Sequence, residues 1–110
     1  MTRQTEEILK TIKPELQRVV PEDSMVLLFG SRARGDERED SDFDILVLLN
    51  REGRANSNDN MGVGYDVSEV FWNNNQTVNV VINTAEEWQA KKGRSLFYHN
   101  VMEDAKKLWA

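Results

Sequence analysis

The residues with the clearest capacity for chemistry lie in one stretch, Phe29 to Leu49, which reads FGSRARGDEREDSDFDILVLL. Asp42 and Asp44 stand two apart at the start of an apolar run. Side chains of a strand alternate between faces, so this spacing projects both carboxylates from one side and brings them close together. Neighbouring carboxylates repel, and burying ionised groups is costly unless a cation pairs with them. A divalent cation between them resolves both problems, and all-oxygen ligation suits Mg²⁺ or Mn²⁺ rather than zinc. Phe43, Ile45, Val47 and Leu49 then face the opposite way, into apolar packing.

Upstream, Gly30 and Ser31 close a first apolar run. Glycine lets the backbone approach a ligand without a Cβ in the way, and the following amides, with the serine hydroxyl, can donate to phosphate oxygens. A helix opening at SRARG would add the attraction of its positive end. Arg32 and Arg34 bring further positive charge to the turn. Phosphate donors beside a carboxylate pair describe a site for a nucleoside triphosphate with its metal: Gly30, Ser31, Arg32 and Arg34 on the nucleotide, Asp42 and Asp44 on the cation. A turn-capping role is open to Asp42, but Asp44 lies inside the apolar run and resists that explanation. Glu37, Arg38, Glu39 and Asp40 read as a solvated loop.

These residues need a frame. From Thr5 to Val20, Ile8, Leu9, Ile12, Leu16, Val19 and Val20 recur at helical intervals. Pro14 interrupts the stripe without breaking its phase, which predicts a kinked helix or two short ones, ended at Pro21. SMVLLFG (Ser24 to Gly30) and DFDILVLLN (Asp42 to Asn50) are too short for helices and read as buried strands. Arg51 to Asn60 is polar and turn-rich, a loop. Met61, Tyr65, Val67, Val70, Phe71 and Trp72 are spaced as a helix weakened by Gly62 and Gly64. TVNVVIN (Thr77 to Asn83) is β-branched and reads as a third strand. Thr84 and Glu87 form a capping-box pattern opening a helix through Trp88. Leu96, Phe97, Val101, Ala105, Leu108 and Trp109 fall on one face of a closing helix. The expected class is α+β, a small mixed sheet of at least three strands with helices covering one side, in one domain spanning residues 1–110.

Composition narrows the partners. The 110 residues carry a formal net charge of −5, with 39% hydrophobic and 30% charged residues. That balance argues against a grip on a nucleic-acid backbone. With no cysteine, disulfides, thiolate zinc sites and thiol nucleophiles are excluded. No apolar run approaches the roughly 18 to 20 residues of a membrane span, and no leader pattern follows Met1, so the expected address is cytoplasmic and off the membrane. His99, the single histidine, Tyr98 and Phe97 read as packing residues, and Trp72, Trp88 and Trp109 as core or interface anchors.

Gly30-Ser31, ten residues, then Asp42-Phe43-Asp44 resembles the motif of the minimal nucleotidyltransferases, in the DNA polymerase β-like nucleotidyltransferase superfamily. LFGSRARG and SDFDILV match it together, and TAEEW and SLFYHNVMEDAKKL resemble the segment that closes these small domains. The resemblance implies a polymerase β palm-like sheet flanked by helices, ATP or another NTP at the Gly-Ser turn, and magnesium at the aspartates. It also implies transfer of a nucleoside monophosphate, AMP above all, to a hydroxyl on another molecule, and a helical HEPN-domain partner paired with an antitoxin-like chain. Active relatives use a third carboxylate on a neighbouring strand, which here falls at Asn79. Asparagine can ligate through its carbonyl oxygen but cannot act as a base. The implied outcome is nucleotide binding with weakened transfer, unless Asp66 or Glu69 reaches the site. The rival reading is a degenerate binding module that pairs with its partner by contact alone.

Overall fold

The computed structural model describes residues 1–109. Helix α1 (Arg3–Val19) is capped by Thr2, whose side chain accepts from the Thr5 amide, and buries Thr5, Leu9, Ile12 and Leu16 along one stripe. It runs as one helix through Pro14. Pro14 and Lys10 both lie on the exposed side, so the Lys10 carbonyl that loses its amide partner is open to water. Pro21 follows the capping residue Val20, as expected.

Strand β1 (Met25–Phe29) leads through Gly30 into the single-turn α2 (Ser31–Arg34), and β2 (Phe43–Leu49) follows after a loop. α3 (Ser57–Asp59) then begins inside the segment expected to be loop. The missed signal was a capping box: Asn56 accepts from the Asp59 amide while the Asp59 carboxylate accepts from the Asn56 amide. A π-helical turn (Asn60–Gly64) joins it to α4 (Tyr65–Asn73). β3 (Val78–Thr84), α5 (Ala85–Ala90), α6 (Leu96–Asp104) and the two-residue β4 (Lys106–Lys107) complete the chain. Thr84 and Glu87 form the expected capping box at α5.

The sheet order is β3-β2-β1-β4, with β2 and β3 parallel and the other neighbours antiparallel. β2 is central and buried on both faces, which is why it reads as a near-continuous hydrophobic run. Phe43, Ile45, Val47 and Leu49 pack with α1 and α4, while Leu46 and Leu48 pack with Trp88, Tyr98 and Val101 of α5 and α6. Helices therefore cover both faces, where one was expected. α4 and α5 lie on opposite sides because β3 separates them in the chain and the crossover into a parallel strand must return over a sheet face.

The closing helix also ends sooner than its spacing suggested. After Asp104 the chain turns extended, Lys106 and Lys107 pair with Leu28 and Leu27, and the Leu108 amide donates to the Val26 carbonyl at 3.0 Å. Pairing the open edge of β1 satisfies backbone groups that a longer helix would leave bare. Leu108 is buried in the α1 face, whereas Leu96 is 76% exposed and Phe97, expected in the core, is 44% exposed. No helix among the described residues is long and apolar enough to cross a membrane.

Candidate nucleotide site

Asp42 immediately precedes β2 and Asp44 is its second residue. The Phe43 amide donates to the Thr77 carbonyl at 2.9 Å, which locks the parallel register in which Asp44 lies opposite Asn79. Phe43 is fully buried between the two aspartates, tilted against Phe71. Its burial turns both carboxylates to the other face, at the end of the sheet where β2 emerges toward solvent.

There they share one donor. The Asn79 carboxamide donates to Asp44 Oδ1 at 3.1 Å and reaches Asp42 Oδ2 at 3.5 Å, the long limit for such a bond. The Thr77 hydroxyl donates to Asp42 Oδ1. These contacts offset the repulsion between the carboxylates. Thr77 was assigned no role from sequence, yet it is legible there: one residue before a strand parallel to β2, it falls beside Asp42.

On the other side of β2, Phe29 is the antiparallel partner of Asp44, so Gly30 begins its turn against that aspartate. Gly30 has φ +76°, and a Cβ there would overlap Asp44 Oδ2. The position demands glycine twice, for its left-handed backbone and for the closeness of the carboxylate. The amides of Ala33 and Arg34 both bond to the Gly30 carbonyl, leaving those of Ser31 and Arg32 without a backbone acceptor among the described residues. Gly30, Ser31, Asp42, Asp44 and Asn79 thus come together.

The arginines do not join them. Arg32, expected beside phosphate, is 1% exposed. Its Nε donates to the Ser41 carbonyl at 3.0 Å, Nη2 to the Glu39 carbonyl at 3.2 Å and Nη1 to Thr5 Oγ1 at 2.9 Å. The guanidinium lies 4.2 Å from the Phe43 ring centroid and 3.9 Å from Glu37. A guanidinium so engaged has no free fork to offer a triphosphate. Glu37 is also not the solvated loop residue it was expected to be, since its side chain is 2% exposed. Burial pushes its carboxyl up, but hydrogen bonds from Thr5 and Thr2, its own amide and the Arg32 charge more than offset this and hold it below the usual value. Arg34 is exposed and bonds to Asp36 at 3.1 Å and Asp104 at 2.9 Å, which raise its already high pKa.

Asp66 and Glu69 sit on the exposed side of α4, where Glu69 lies close enough to the Tyr65 hydroxyl to hold its pKa above the usual value. No group of three or more acidic, histidine or cysteine side chains able to hold a metal occurs among the described residues. His99 is exposed, its ring edge-on to Tyr98, and takes no part in the site.

Comparison with known proteins bears on the fold and the family. The chain shares its fold with a toxin-antitoxin protein crystallised with AMP-PNP, at TM-score 0.63 and 20% identity, over 93% of this chain and 73% of that one. A Shewanella oneidensis structure of a tri-AMPylated HEPN toxin with its MNT antitoxin aligns at TM-score 0.58 and 18% identity, over 96% and 72%. A Sulfolobus solfataricus protein described as a candidate nucleotidyltransferase aligns at TM-score 0.59 and 28% identity, over 96% and 82%. No curated protein matches the chain. The nucleotidyltransferase domain family matches residues 9–102, the span that holds the Gly-Ser turn, both aspartates and Asn79, and the chain belongs to that family.

Proposed function

We propose that the chain binds a nucleoside triphosphate, ATP first among them, with a divalent cation at Gly30, Ser31, Asp42 and Asp44. Transfer of its nucleoside monophosphate to a hydroxyl of a partner is slow, because Asn79 stands where a third carboxylate would act as base. The observation that carries the reading is the contact between the two half-sites: a Cβ at Gly30 would overlap Asp44 Oδ2. A phosphate on the turn and a cation on the carboxylate would then be immediate neighbours.

The residues fit Mg²⁺ or Mn²⁺. Magnesium is commonly held by one or two carboxylates, with substrate phosphates and waters completing its shell. Asp42 and Asp44 supply the carboxylates, and Asn79 could add its carbonyl oxygen by turning its amide. When bound, the cation neutralises charge on the triphosphate and favours displacement at phosphorus. The Ser31 hydroxyl and the Ser31 and Arg32 amides orient the phosphates, while Thr77 steadies Asp42. No group in this set can take the proton of an attacking hydroxyl as a third carboxylate would.

Calorimetric titration with Mg·ATP is expected to show binding that Asp44→Ala abolishes; absence of heat at millimolar ligand would remove the reading. The partner inferred by likeness is a HEPN-type helical protein. A second reading, contact without transfer, is favoured by Asn79 and by the exposed seam of Met61, Tyr65 and Trp72 around a cleft of about 450 Å³, a surface a helix could cover. Labelled ATP incubated with chain and partner decides between them: label on the partner supports transfer, co-elution without label supports contact.

A further inference from the structure

We propose that Arg32 is a positioning residue that fixes the Asp42/Asp44 pair against the Gly30-Ser31 turn, a role that rests on the nucleotide-site reading for its use but not for its geometry. Arg32 belongs to α2, the turn that carries Gly30 and Ser31 at its start. Its side chain crosses to the loop before β2 and grips two carbonyls there, Glu39 and Ser41, the second adjacent to Asp42. Its plane lies against Phe43, the residue between the aspartates. One rigid fork therefore ties the phosphate turn to the backbone just before Asp42 and to the ring just after it.

The fork is itself held from behind. Thr5 of α1 accepts from Arg32 and donates to Glu37, and Thr2 donates to the same Glu37 oxygen. Glu37 Oε1 is buried without a partner, so the bonds from Thr2 and Thr5 and the charge contact with Arg32 all run through its other oxygen. The three protein oxygens that receive Arg32 leave its position over-determined. A site of this kind depends on placement to within a fraction of an ångström, and a misplacement of about 1 Å can cost a hundredfold. Arg38, Glu39 and Asp40, just before Asp42, are otherwise exposed loop, shaped by the Arg38 amide bond to Ser41 Oγ and the Ser41 amide bond to the Arg38 carbonyl.

Arg32→Met, Arg32→Lys and Leu108→Ala separate positioning from plain stability. Leu108→Ala opens a cavity beside Val26, toward the end of β1 away from Gly30, and lowers melting temperature while leaving every bond of the Arg32 fork in place. Two signals are read: the NMR side-chain amide resonance of Asn79 in ligand-free protein, because that amide touches both aspartates, and the Kd for Mg·ATP at a temperature where every variant is folded. Arg32→Met is expected to move the Asn79 resonance and weaken Mg·ATP by about tenfold or more, Arg32→Lys to lie between, and Leu108→Ala to leave both signals at wild type. If Arg32→Met does not fold, Arg32→Lys carries the comparison. An Asn79 resonance unmoved by either arginine variant, or moved as far by Leu108→Ala, overturns the proposal. A wild-type protein that ignores Mg·ATP while its Asn79 resonance responds to Arg32→Lys overturns the nucleotide reading and leaves the positioning role standing.

Discussion

Asn79 donates its carboxamide proton to Asp44 across the parallel β2–β3 register, 3.1 Å from nitrogen to oxygen. In the absence of a cation this bond and the longer one to Asp42 supply the positive end of a dipole to carboxylates that would otherwise repel. The same residue thus makes the ligand-free carboxylate pair tolerable and, on the function proposed above, stands where a base would be.

Replacing Asn79 by aspartate reverses both effects. The bonds to Asp42 and Asp44 are lost and a third like charge is added, so ligand-free Asn79→Asp should be destabilised by about 1 kcal/mol, a fall of about 5 °C in Tm. Magnesium should recover that loss and lift its Tm more steeply than wild type, and label transfer from ATP should rise at least about a hundredfold. Thermal melts with and without Mg²⁺ measure the first part; a variant indifferent to the metal would show that Asp42, Asp44 and position 79 do not form one cation site.

Gly30 and Gly53 offer a matched pair. Both have positive φ, +76° and +82°, but a Cβ at Gly53 meets nothing within 4 Å whereas one at Gly30 meets Asp44. Gly53→Ala should cost only backbone strain, about 1 to 2 kcal/mol, with Mg·ATP affinity unchanged. Gly30→Ala faces a costlier backbone, since φ +76° with ψ −158° is a region essentially reserved for glycine, and must also push Asp44 aside, so its binding should fall sharply. Chemical denaturation and calorimetry on both variants test this, and equal binding by the two would disconnect the turn from the carboxylate.

Acid stability should carry the mark of Glu37. Burial resists its ionisation, yet the bonds from Thr5 and Thr2, its own amide and the nearby Arg32 bring its folded value below the ordinary 4.5. The unfolded chain therefore takes up that proton first as pH falls, and stability rises with pH through this range. The contribution is complete above the unfolded value and is lost as pH drops through the lower folded one. Asp59, held down by Arg51 and the Asn56 amide, acts in the same direction from 3.8. Urea titrations across the acid range should show Glu37→Gln with a lower plateau and a flatter acid limb; an acid limb as steep as wild type would assign the loss to other carboxylates.

What could be read in advance follows from local rules. The two-residue spacing of Asp42 and Asp44, the glycine turn and the parallel position of Asn79 depend on strand alternation and one register, both encoded within a few residues. Arg32 and Glu37 were misjudged because their burial depends on Thr2 and Thr5, some thirty residues away in sequence, and no local pattern announces such a meeting. Helices on both faces escaped notice for a related reason: β2 is apolar at every position from Ile45 to Leu49, so alternation, the usual sign of which face is wet, was absent.

The end of the chain makes the same point in measurable form. Leu96 and Leu108 fall on one face of a continuous helix by spacing, which would make them comparable core residues. In the structure the helix stops at Asp104 and the two part company: Leu96 is 76% exposed, while Leu108 follows β4 into the core beside α1 and is 3% exposed. Truncating Leu96 to alanine removes little buried surface and should change stability by less than about 0.5 kcal/mol. Leu108→Ala opens a cavity and should cost about 2 to 5 kcal/mol, and it should also loosen the Lys106–Lys107 pairing that Leu108 anchors through Val26. Hydrogen exchange at Leu27 and Lys107 reports that loosening alongside the denaturation midpoint. Comparable losses from both leucines would mean that the terminal segment is helical through Trp109 and that β1 has an open edge.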